Sequence, residues 1–235
     1  MVKTLAKTLA DTGFLKKAGD SKEYELGLWM IELGAQKMAT TEINRIGALT
    51  ANYLGHELDL TVRLGVLERD VVIVTHCSLY PTSATRTRQD LGAPLPAYCT
   101  AMGRAILAFY PKEEVAAYLE RVELVAYTQF TMTDPREIMA ELDTIRANGY
   151  AVMTNEVMPR LQAVGAPIFN ASGKVAAAIS LSGDPDQLAE LGLQKVAKRI
   201  AETAGQISGQ MGYFGIQPRF QERGRYPRLV HQRRI

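Results

Sequence analysis

Between residues 60 and 76 the apolar positions of this chain recur at every second residue. Leu60, Val62, Leu64 and Val66 alternate with Thr61, Arg63, Gly65 and Leu67, the spacing of a strand with one face more apolar than the other. Glu68-Arg69-Asp70 then turns the chain into Val71-Val72-Ile73-Val74-Thr75-His76, a more buried strand, so the pair predicts a hairpin. Elsewhere the period is helical. Val2, Leu5, Ala6, Leu9 and Ala10 share one face of a helix that Gly13 stops. Phe14-Leu15, the Gly19-Asp20-Ser21 turn and Glu23-Tyr24-Glu25-Leu26 predict a short hairpin after it. Residues 28 to 54 return to helix, with Leu28, Ile31 and Ala35 on one face and Ile43, Ile46, Leu49 and Tyr53 after Thr40-Thr41.

The second half carries clearer boundaries. Asp134-Pro135-Arg136-Glu137 has a capping acid, a proline at the first helical position and a glutamate placed to close a capping box. Ile138, Leu142 and Ile145 face inward, and Gly149 ends that helix. Two strands follow, joined by Asn170-Ala171-Ser172-Gly173, and one last helix from about 187 to 211 presents Leu188, Leu191, Val196, Ile200, Ala204 and Ile207. Hairpin, helices, hairpin and helix give an α+β class, an antiparallel sheet covered by helices.

One segment departs from simple patterning. Gly92, Pro94 and Pro96 punctuate a loop, Thr100 can cap, and a helix opens at Ala101 with almost no side-chain bulk. Met102, Ala105, Ile106 and Phe109 then face a core. A bare helix start offers backbone N–H groups and the positive end of the dipole, which suits a carboxylate. A capped helix after a tight turn, with no ligand, fits the same residues.

Charge changes the picture at the two ends. The net charge is only +2, yet Arg219, Arg223, Arg225, Arg228, Arg233 and Arg234 crowd the C-terminus against Glu222 alone. Five lysines stand in residues 1 to 22 against Asp11 and Asp20, leaving an acidic body between basic ends. That fits a nucleic-acid binder whose central part does something else, although a solvated tail explains the arginines as well. No apolar run is long enough to span a bilayer, and the N-terminal residues lack the apolar stretch expected of a secretory signal. Cys77 and Cys99 form no C-x-x-C pair, so a reduced, cytoplasmic protein is expected. His56, His76 and His231 are isolated, so neither metal nor cofactor is expected. Cys99, just before a helix start where the dipole favours thiolate, is the nominal nucleophile, but no base is assigned to it. The expectation is that the chain is not an enzyme.

Leu95-Pro-Ala-Tyr-Cys-Thr-Ala-Met-Gly-Arg-Ala-Ile-Leu-Ala108 resembles the segment that marks the effector-binding domain of IclR-type transcription regulators. Gly149-Tyr150, Glu156, Ala166-Pro167-Ile168-Phe169 and Ala177-Ala178-Ile179-Ser180-Leu181-Ser182-Gly183 agree in order and spacing. Leu9 to Leu15 and Tyr24 to Gly27 look like the end of the family's recognition helix and its wing. The resemblance covers roughly residues 1 to 212. It implies the C-terminal part of a winged helix-turn-helix over 1–27, linker helices over 28–56, a GAF-like effector-binding domain over 57–212, and a basic tail over 213–235. The family has two further helices before this point, so the numbering starts late or DNA reading is crippled.

The resemblance also implies a site. Its effector pocket would be lined by Thr100, Ala101, Met102, Gly103, Met153, Leu161, Ala163, Ser180 and Ser182. Three positions depart from the family: Arg160 where glycine is common, Ala163 where cysteine or serine is common, and Met153 where a polar residue is frequent. A more apolar wall, with Arg160 able to reach an anion, implies a small organic acid with an apolar or aromatic body. The Leu-Pro-Ala-Tyr wording is similar to the branch that regulates aromatic-acid catabolism. Lys3, Thr4 and Lys7 would contact operator DNA. A homodimer through the linker helices is expected, burying Trp29 and Ile31, with a homotetramer through the sensing domains as a further step. The competing readings are a stand-alone small-molecule binding module without DNA binding, and a cysteine-dependent enzyme.

Overall fold

The computed structural model describes residues 2–19, 21, 23–79, 91–216 and 218. The arginine-rich tail beyond 218 and His231 lie outside the described residues. Two compact units divide within one helix, the first ending at Arg45 and the second beginning at Ile46.

In the first unit, helix α1 (Val2–Asp11) leads to an antiparallel hairpin of β1 (Leu15–Lys17) and β2 (Tyr24–Leu26). Leu15 pairs with Leu26 and Lys17 with Tyr24. Helix α2 (Trp29–Thr40) follows. Thr41, extended at φ −69° and ψ 120°, separates it from α3 (Glu42–Leu58) while its hydroxyl donates to the Lys37 carbonyl. Neither α1 nor α2 buries a residue. Leu28 is 82% exposed, Trp29 58% and Ile31 69%, an apolar stripe left open to solvent.

The second unit is built on a six-stranded antiparallel sheet of β3 (Thr61–Glu68), β4 (Val71–Ser78), β5 (Pro94–Pro96), β6 (Ala151–Thr154), β7 (Gln162–Phe169) and β8 (Val175–Gly183). Their order across the sheet is β5-β4-β3-β8-β7-β6. Period two sorts the strands into two faces. Leu60, Val62, Leu64, Val164, Ala166, Ile168, Ala177, Ile179 and Leu181 are completely buried along one face. The other face receives α4 (Ala101–Leu107), whose seven residues are all buried. Helices α5 (Lys112–Arg121), α6 (Pro135–Asn148), α7 (Pro185–Leu191) and α8 (Leu193–Gln210) complete the unit. α8 packs on β7 and β8, bringing Val196, Ile200, Ala204 and Ile207 into the core. Among the described residues, no helix is long and apolar enough to cross a membrane.

Several expectations need correction. The last helix is two, because Gly192 at φ 81° and ψ 100° breaks it and Asp184 caps a separate α7. Pro94–Pro96 is an edge strand rather than loop, a position where the missing prolyl N–H costs no ladder bond on the open side. Three strands, not two, follow Gly149, since β6 is a four-residue edge strand. Helix α5 escaped the apolar pattern because only Val115, Tyr118 and Leu119 of its ten residues are buried.

Candidate functional site

The register of the sheet assembles the site. On the α4 face, Thr61 of β3 stands opposite Ser182 of β8, Ser182 opposite Ala163 of β7, and Ala163 opposite Met153 of β6. These four side chains form one rung across four strands, because directly paired residues project from the same face. The next rung on that face is Arg63, Ser180, Gly165 and Ala151, with Cys77 of β4 paired to Arg63.

Glycine at two positions lets α4 approach this face. A Cβ on Gly165 would lie 2.5 Å from the Ala101 carbonyl oxygen, so the start of α4 rests on the second rung. A Cβ on Gly103 would lie 2.2 Å from the Ala97 carbonyl oxygen, so the preceding loop closes against the helix from outside. Thr100 is the cap: its hydroxyl accepts from the Gly103 N–H at 3.2 Å and donates to the Pro96 carbonyl at 2.8 Å. The small residues of Thr-Ala-Met-Gly thus allow close packing on both sides.

With α4 seated this way, Ala101, Met153, Leu161 and Ala163 form one buried apolar cluster, and Val157 packs against it. Met102 and Gly103 are buried directly after Ala101. At the β3 end the character becomes polar. Arg63 is buried to 8% exposure and its Nη1 donates to Ser182 Oγ at 2.6 Å. Ser180 and Ser182 are each 4% exposed. Thr61 is wholly buried and, among the described residues, its hydroxyl has no hydrogen-bond partner, an uncommon state for an interior polar atom.

Arg160 is not brought into this group. It sits at φ 57° with its side chain 72% exposed, and its guanidinium binds Asp184 at 2.7 Å and Asp186 at 3.2 Å. Lys3, Thr4 and Lys7 are exposed together on α1 of the first unit.

Cys99 is not the activated thiol that its place before a helix suggested. It is completely buried, and burial pushes its pKa up to about 12, outweighing the lowering by the nearby Arg104 guanidinium. The dipole of a seven-residue helix does not offset that desolvation.

Two features were invisible to pattern reading. Arg63 looked like the polar side of an alternating strand, and only the register puts it beside the two serines. The second is the pair Arg104–Glu156, buried and bidentate at 2.6 Å on both arms. Arg104 Nε also donates to the Tyr98 carbonyl at 2.6 Å, and Glu156 Oε2 accepts the Met132 N–H at 3.1 Å. Thr128 Oγ1 donates to the Asn155 carbonyl at 2.7 Å. The turn after β6, which carries Val157 to the apolar cluster, is therefore tied to α4 and to the segment before α6.

The family model of the bacterial transcriptional regulator IclR C-terminal domain matches residues 35–209. The HTH-type transcriptional regulator KipR of Bacillus subtilis is 32% identical over 212 residues, covering 90% of this chain and 84% of that protein. The HTH-type transcriptional regulator KdgR of Escherichia coli is 30% identical over 209 residues, 88% of this chain and 78% of that one. The crystal structure of the Thermotoga maritima IclR superposes with a TM-score of 0.77 at 30% identity, covering 91% of this chain and 87% of the other. These relatives are transcription regulators rather than enzymes, and the chain belongs to the IclR family of transcriptional regulators.

Proposed function

We propose that this regulator binds operator DNA through α1 and its hairpin and senses a small organic acid between α4 and the ends of β6, β7 and β8. The observation that carries the sensing half is the union, on one sheet face, of an apolar cluster (Ala101, Met153, Leu161, Ala163) with two buried serines. A ligand with an apolar body and an acid head matches that division. Ser180 and Ser182 donate to the acid, Thr100, Ala101, Met102 and Gly103 close the helix side, and Arg160 stands at the rim with its two aspartates. An aromatic ring or short alkyl chain fills the apolar part. Lys3, Thr4 and Lys7 supply the phosphate and base-edge contacts expected of an exposed helix face.

Thermal denaturation of the whole chain with benzoate, phenylacetate, hexanoate and pyruvate tests the reading. A ligand that binds only the folded state raises Tm with concentration. At least one of the first three is expected to do so, and more than pyruvate. No rise with any of the four contradicts the proposal.

A further inference from the structure

We infer a second small-molecule site in the second unit, in a cleft between α5, the end of α4 and the β3–β4 turn. Its ligand is a small zwitterion whose carboxylate meets Arg69 and whose ammonium meets Glu114, with an apolar body between the two charges. Leu107, which lines the cleft, closes α4 at the end opposite Thr100 and Ala101, so this site is separate from the one proposed above.

The cleft encloses about 240 Å³. That is below the roughly 300 to 1,000 Å³ of drug-sized sites and suits one ring or a short chain. Its floor is largely apolar, formed by Leu67 of β3, Leu107, Ala117 and Tyr118. The floor is also fixed, because Leu107 and Tyr118 are buried and the Tyr118 hydroxyl accepts the Tyr98 N–H at 3.1 Å. Arg121 Nε donates to both oxygens of Asp70 at 3.2 Å, which ties α5 to the β3–β4 turn and holds the two walls together.

Charge divides this cleft into two ends. Glu114, Ala117, Tyr118 and Arg121 recur at three and four residues and share one face of α5. Glu114 and Arg121 stand two turns apart, about 10 Å along the axis. At the turn end Asp70 already takes the Arg121 guanidinium, which leaves the cationic role to Arg69. Arg69 is exposed and lines the cleft, and among the described residues its guanidinium makes no hydrogen bond or close ion pair. Its backbone is left-handed at φ 56°, a costly conformation of the kind that clusters at ligand sites. At the other end Glu114 stands beside Tyr110, whose pKa is raised by burial and then by the Glu114 charge. An ammonium there gains an ion pair with the carboxylate and a cation–π contact with the ring. A simple anion meets repulsion from Glu114, and a simple cation leaves Arg69 unmatched. A molecule with opposite charges at the two ends of an apolar body complements both.

The test is calorimetric titration of the full chain with 4-(aminomethyl)benzoate and with 4-methylbenzylamine, which has the same shape and keeps only the ammonium. Wild type is expected to bind the zwitterion at least tenfold more tightly than the amine. Arg69→Gln weakens the zwitterion at least fivefold and leaves the amine within twofold of wild type. Glu114→Gln weakens both molecules, and Ala117→Trp fills the floor and abolishes binding of both. Arg69 and Glu114 are exposed, so their variants are expected to keep the fold, which circular dichroism checks. If the amine gives no heat, the loss of zwitterion affinity in the two charge variants decides. No heat from the zwitterion at millimolar concentration, equal affinity for the two molecules, or a zwitterion affinity that either charge substitution leaves unchanged overturns the inference. The serine-lined site is judged separately, since neither Arg69 nor Glu114 belongs to it.

Discussion

At the scale of single residues, the most consequential interaction is the Arg104–Glu156 pair. Both side chains are almost completely buried, and each desolvated charge is tolerable only because the other faces it at 2.6 Å on two arms. Glu156→Ala leaves the guanidinium without its counter-ion and is expected to cost about 3 to 5 kcal/mol of folding stability. Urea denaturation at neutral pH reads this directly, and a loss below about 1 kcal/mol would show that the turn after β6 does not depend on the pair. Arg104 and Glu156 both sit in the segments that carry the family resemblance, yet their partnership was not legible. They are fifty-two positions apart, and nothing in a linear pattern distinguishes a helix arginine that meets a carboxylate from one that meets solvent. Arg63 was obscured differently, since its strand was read correctly while its cross-strand neighbours depend on a register set far away in sequence.

At the scale of elements, legibility followed local chemistry. Thr100 and Asp134 cap α4 and α6 as their sequence signals require, and Gly149 closes α6 at φ 80°. These signals are short-range and physical: an oxygen accepting an exposed N–H, or a residue without a Cβ where the chain turns left-handed. Helix α5 and strand β6 were lost because neither buries a full stripe, and the α7–α8 break was lost because the apolar period continues through Gly192. Thr100→Ala is expected to cost about 1 kcal/mol through its lost cap. Between α3 and β4, His76 Nε2 meets Asn52 Oδ1 at 2.8 Å, and burial holds the imidazole below its ordinary pKa. The folded state therefore favours neutral His76, while the unfolded chain takes up a proton near pH 6.5. This contribution to stability is fully present above that pH and is lost as pH falls through the lower, folded value. Denaturation midpoints measured from pH 7.5 to 5 should decline less steeply in His76→Gln than in wild type, and parallel curves would assign the acid sensitivity elsewhere.

At the scale of the whole molecule, helices α1 and α2 bury none of their residues. Leu28, Trp29 and Ile31 stand exposed on and beside α2, a stripe wide enough to attract a second copy of the chain. A dimer that buries Trp29 and Ile31 is expected, and sedimentation should show Trp29→Glu shifting it toward monomer at micromolar concentration. A monomeric wild type contradicts this. If α1 meets DNA as proposed, affinity should fall steeply with added salt, because each lysine on phosphate would displace counterions. The rung between α4 and the sheet is where the proposed effector is sensed. Its most direct measurement is calorimetric titration of wild type, Ser182→Ala and Ala101→Asp with the acid that raises Tm most. Removing the Ser182 hydroxyl from a buried carboxylate should cost about 1 to 3 kcal/mol of binding, and Ala101→Asp should cost more by placing a charge in the buried apolar cluster that takes the ligand's body. Equal affinities across the three folded proteins would place the ligand elsewhere and contradict the account.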